Sequence, residues 1–193
     1  KRFNYIKAKF VGYSDNEEVL NKLNEPFKAY AESIKLARSG NLKMSLQNLN
    51  EIIKNNNNNF LLETKADILF SYGYTKEATK FYKKNLEKYP LNYYAQIRIF
   101  ENIEIKNLSK SDTEIIFQNN KDLLYKFYNN KNVLLKYFEI AQKLNKKDWL
   151  QFFNFFLSIN DMEKEVFDIE IKNFKITKDN DLLKLVNIIQ NVN

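Results

Sequence analysis

The stretch LFSYGYTKEATKFY, residues 69–82, sets Gly73 between two tyrosines. Only three glycines and two prolines occur in 193 residues, so the chain has few places to turn sharply. Glycine tolerates the left-handed backbone at which many helices end. The runs on either side, ADILFSY and KEATKFYKKNLEKY, both carry a helical pattern. Gly73 is therefore predicted to be the corner of a helical hairpin, with helices over about 60–72 and 75–89. Gly40, in LARSGNLKMSLQNL, stands 33 positions earlier (73 − 40) and reads the same way. A corner that recurs at a fixed period argues for stacked helical hairpins. A sandwich or barrel would need many more turns.

The residues around Gly73 sharpen this. Ala66 and Ala78 are small where two paired helices must approach closely, Tyr82 is aromatic, and Pro90 closes the second helix. That order resembles the tetratricopeptide (TPR) repeat, whose period is roughly 34 residues. A degenerate first copy has Ser33, Gly40, Ser45 and Leu49 at the matching places, with Pro26 opening its first helix. A weak third copy places Trp149 ahead of SIND, with Phe153 where a small residue is usual. Between them the 3.6-residue stripe persists through YAQIRIFENIEI, TEIIFQNNKDLLYKFY and NVLLKYFEIAQKL, with Asp112 and Asn132 as expected N-caps. The expectation is an all-α, TPR-like superhelix of about ten antiparallel helices. It forms a single helical-repeat domain over 1–193. Residues 1–24 are lead-in helices, 25–57 and 58–91 are the clear hairpins, and 92–193 are degenerate TPR-like helices.

Composition narrows the chemistry. The chain has neither cysteine nor histidine, so the common zinc sites and histidine-activated nucleophiles cannot be built from it. Its glycines stand alone, which excludes a glycine-rich phosphate loop. Acids in NEEVL, LLETKAD and DMEKEVFDIE fall at the spacing of solvated helix faces. No catalytic residue, cofactor or metal is expected. No apolar run approaches the roughly 20 residues of a membrane span, so membrane insertion is not expected. The net charge of +7 comes almost wholly from lysine, with arginine only at 2, 38 and 98. With the abundant asparagine, this reads as AT-rich coding and not as a polyanion site. The run NNNNN at 55–59 reads as a polar loop. The start at Lys1 without a signal-peptide pattern reads as a processed or excised piece of a longer protein.

The repeat register that the resemblance implies puts Tyr30 and Ile34, then Phe60, Glu63, Asp67 and Phe70, then Tyr94, Ile97, Glu101 and Glu104 along the concave wall, with Arg98 beside them. Tyr30, Phe60, Glu63, Asp67, Phe70, Tyr94 and Arg98 are the candidate protein-binding residues. Packing of the same aromatics between repeats is an equally consistent role. Such a wall is aromatic and acidic, which repels nucleic acid; a partner segment is expected to pair an acid with Arg98, while Glu63 and Asp67 favour a basic or hydrogen-bonding one. The positions that clamp a C-terminal carboxylate in chaperone-binding TPR proteins hold Tyr30, Ile34 and Thr64 here, and only Arg98 fits, so that clamp is absent.

A more particular resemblance covers nearly the whole chain and is strongest over 60–90. IKAKFVGY at 6–13, YAESIKLARSGNLKMS and FLLETKADILFSYGYTKEATKFY are similar to the motifs leading the C-terminal TPR domain of BepA-like periplasmic zinc metalloproteases. DWLQFFNFFLSIND and KDNDLLKLVNIIQ match its later motifs loosely. The resemblance implies the recognition half of such a protease, acting in outer-membrane protein assembly and quality control. The H-E-x-x-H helix would lie in an upstream domain, and the partners would be that domain or outer-membrane assembly components. It also implies a periplasmic location. A free-standing TPR scaffold and an RNA-binding helical repeat, the latter favoured by charge alone, are the alternatives.

Overall fold

The computed structural model describes residues 2–14, 16–56, 58–159 and 179–192. They form twelve α-helices and one short 3-10 turn, with no strand among them. The all-α expectation holds. The chain divides into two compact units, Lys1–Ile99 and Phe100–Asn193, where the sequence reads as one continuous domain.

The first unit contains α1 (Arg2–Tyr13), α2 (Glu17–Asn21), α3 (Phe27–Arg38), α4 (Leu42–Asn55), α5 (Asn59–Ser71) and α6 (Thr75–Lys88). It closes within α7 (Tyr93–Glu101). The two expected hairpins are α3–α4 and α5–α6. Both corners have the same construction. Gly40 and Gly73 have φ of 88° and 82°. At each, the glycine N–H donates to the carbonyl three residues back and the next N–H donates to the carbonyl five back, Asn41 to Leu36 and Tyr74 to Leu69. This double bond pattern satisfies the last carbonyls of the helix and needs a residue tolerant of positive φ. Ala66 and Ala78 are both fully buried in one cluster with Tyr82 and Ala95, as the close approach of α5 and α6 requires.

Gly12 has a different role. A Cβ there would sit 2.7 Å from the Ala31 carbonyl oxygen and 2.8 Å from the Ile34 Cβ. The missing side chain lets α1 lie directly on α3. The asparagine run also does more than fill a loop, because Asn55 ends α4 and Asn58 caps α5 by accepting from the Phe60 N–H at 2.9 Å.

The second unit begins at Phe100 and includes the 3-10 turn Ile105–Asn107, α8 (Lys110–Asn119), α9 (Lys121–Lys126), α10 (Lys131–Leu144), α11 (Lys147–Ile159) and α12 (Asn180–Val192). Two expected caps move. Ser109, not Asp112, accepts from the Asp112 N–H and caps α8. Asn130, not Asn132, accepts from the Asn132 and Val133 N–H groups and caps α10. The stripe in TEIIFQNNKDLLYKFY breaks at Asn120, whose side-chain amide donates to the Ile116 carbonyl and separates α8 from α9. These short segments take the count above the expected ten.

A third corner lies at Asn145, at φ 55°, with the same pair of backbone bonds from Asn145 and Lys146. It joins α10 to α11. The core here is aromatic: Trp149 meets Phe117 edge-on at 5.0 Å, and Phe153 lies 5.8 Å from Trp149. Phe153 supplies bulk to this stack where the repeat pattern expects a small residue. Of SIND, Ser158 and Ile159 finish α11, and the last two residues lie outside the described ones. Among the described residues, no helix is long and apolar enough to cross a membrane.

Candidate functional site

The candidate residues divide into three groups. Tyr30 is fully buried; its hydroxyl is hydrogen-bonded to Thr64, and its ring meets Tyr5 edge-on at 5.5 Å. It belongs to the core. Phe60 is half-buried, stacked at 6.5 Å on Tyr5, and borders a separate depression near the start of α5, with Lys88, Tyr89, Leu91 and Tyr93. Glu63 is buried, where it accepts from Asn92 and, at 3.4 Å, from Asn59. Burial pushes its carboxyl above the ordinary glutamate range, opposed by the Asn92 bond and the charge of Lys9.

The other four come together. Asp67, Phe70, Tyr94 and Arg98 line one concavity of about 430 Å³ with Lys9, Tyr13, Arg38 and Tyr72. That volume falls within the roughly 300–1,000 Å³ of ordinary ligand pockets. Its floor is a connected polar network. The Tyr82 and Tyr94 hydroxyls each donate to the Asp67 carboxylate at 2.6 Å. Lys9 reaches the other oxygen at 3.4 Å. Arg98 Nε donates to the Tyr94 hydroxyl at 3.3 Å, and its guanidinium sits 5.1 Å from the centre of the Phe70 ring. Burial first, then the Asp67 charge, pushes both tyrosine hydroxyls far above their ordinary value. They stay protonated and donate. Asp67 therefore organises the floor from inside.

Elsewhere in the lining, Arg38 donates to the Tyr13 carbonyl at 2.7 Å. Tyr72 donates to the Ala37 carbonyl and ties the end of α5 to α3.

The lining holds the cations Lys9, Arg38 and Arg98 against one carboxylate, Asp67. The wall expected to be acidic is therefore cationic and aromatic at this pocket, because Glu63 is buried and Asp67 is spent within the network. The case against a polyanion drawn from an acidic wall does not carry over here. Sequence reasoning missed Lys9, Tyr13, Arg38 and Tyr72. Lys9 and Tyr13 lie one helical turn apart within IKAKFVGY, and Arg38 is one of only three arginines. Those were the available signals. Nothing local marks α1 as forming one side of the pocket, since its docking on α3 is a long-range event.

Among the described residues no cluster of acidic side chains is arranged to hold a metal ion. Comparison with known protein families, curated proteins and solved structures gives no match to this chain.

Proposed function

We propose that the chain is a non-catalytic, TPR-like protein-binding module and that the pocket between α1, α3, α5 and α7 receives a segment of its partner. The arrangement of Arg98 over Phe70, continuous with Tyr94 and Asp67, carries this reading. Arginine and aromatic side chains supply much of the energy of protein interfaces when they sit together in a partly desolvated hollow. Their geometry is already fixed by the Asp67 network, so little ordering is needed on binding. The excess of cations selects a segment that brings an acidic group beside an apolar or aromatic one, as expected at Arg98, and not the basic group expected opposite Glu63 and Asp67.

The finer reading makes this module the recognition half of a periplasmic zinc metalloprotease in outer-membrane protein assembly and quality control. It rests on the resemblance of IKAKFVGY and FLLETKADILFSYGYTKEATKFY to that family. Panning a displayed library of random peptides on the chain tests the pocket. Enriched peptides are expected to pair Asp or Glu with an aromatic residue, and enrichment should collapse on the Arg98→Ala protein. Enrichment of basic peptides, indifferent to Arg98→Ala, contradicts the proposal.

A further inference from the structure

Helix α1 is apolar on two opposite faces. Tyr5, Ala8 and Gly12 follow i, i+3, i+7 spacing; Tyr5 and Ala8 are buried in the core, and Gly12 lies directly against α3. Phe3, Ile6, Phe10 and Tyr13 follow the same spacing one face away, and they are 75%, 36%, 73% and 46% exposed. At 100° per residue the second row lies about opposite the first. A helix with apolar residues on two opposite faces belongs between two neighbours. Single exposed apolar residues are ordinary, but a contiguous row of four marks an interaction surface.

Charge says what fits it. The sequence of α1, RFNYIKAKFVGY, contains no acid. By the same helical geometry Lys7 falls on one edge of the exposed row and Lys9 on the other, where Lys9 also reaches Asp67 at 3.4 Å. A second copy laid face to face on this helix would bring its lysines up with no acid of α1 to offset them. A helix with an acidic edge beside Lys7 would be met favourably. We infer that the Phe3–Ile6–Phe10–Tyr13 face docks an amphipathic helix of a partner protein, one whose apolar stripe is flanked by Asp or Glu. This surface adjoins the pocket at Tyr13, which lines both, while Phe3, Ile6 and Phe10 lie outside the pocket lining.

The test uses two fluorescein-labelled 18-residue helical peptides with the same leucine stripe, one flanked by glutamates and one by lysines. Their anisotropy is followed on titration with the chain. The glutamate peptide is expected to bind at least about tenfold tighter than the lysine peptide, with the difference shrinking as salt rises. Phe3→Ser/Phe10→Ser should abolish binding with helical circular dichroism unchanged. Lys7→Glu should weaken the glutamate peptide and strengthen the lysine peptide, which keeps the test decisive if the double variant fails to fold. Arg98→Ala should leave both affinities unchanged, separating this surface from the pocket. Equal affinity for the two peptides or no binding overturns the proposal. So does a sedimenting dimer that Phe3→Ser/Phe10→Ser converts to monomer, which would assign the face to a second copy.

Discussion

Glu63 shows how far a residue's role depends on what surrounds it. The TPR-like register expected from the sequence would turn it into a groove. In the folded chain it lies under Asn92 and Asn59, with Asn92 also donating to Asn85 at 2.8 Å. Burial favours its neutral form, so the folded state holds this proton more tightly than the unfolded chain does. The stability linked to that proton is therefore present at low pH. It is lost as pH rises from about 4, the unfolded glutamate value, through the raised folded one. Glu63→Gln does not titrate. Its stability relative to the parent chain is expected to improve between pH 4 and pH 7 in urea unfolding, and an identical difference at both values would contradict the assignment. Gly73 is simpler: its positive φ is a property of the corner, and the sequence announces it.

Among the elements, the α5–α6 hairpin is the best determined by sequence. Its helices fall within a residue or two of the expected bounds, and Ala66 and Ala78 meet where a small–small contact is predicted. Ala78→Leu is expected to overpack that contact and cost about 1–3 kcal/mol, read from the urea midpoint; an unchanged midpoint would remove the reason for alanine there. The later helices were less legible for physical reasons. The apolar stripe runs on through Asn120, so only the side-chain bond to Ile116 reveals the break between α8 and α9. The corner at Asn145 uses asparagine where the earlier corners use glycine, a substitution the left-handed region allows. Asp67, Phe70, Tyr94 and Arg98 were singled out from the expected TPR-like register, and the structure brings these four to one pocket. Lys9, Tyr13 and Arg38 join them only through tertiary packing, which no periodicity encodes.

For the whole molecule, the cationic, aromatic pocket is the observation on which the proposed recognition role rests. The first unit holds all the residues of that pocket, and the exposed face of α1 gives the same unit a second apolar surface. The second unit is stabilised differently, by the aromatic stack around Trp149 and by α12. The Trp149 indole donates to Asp179 at 2.7 Å just before α12 begins, and Lys121 pairs with Asp181 within it. The central claim is that a partner segment occupies the first unit's pocket. Its most direct measurement is the affinity of the best panned acidic–aromatic peptide for the parent chain, for Arg98→Ala, for Tyr13→Ala and for Lys83→Ala, a control on the exposed face of α6. The account predicts that Arg98→Ala and Tyr13→Ala each weaken binding about tenfold or more, with helical content intact and Lys83→Ala without effect. Equal affinity for all four proteins would contradict it.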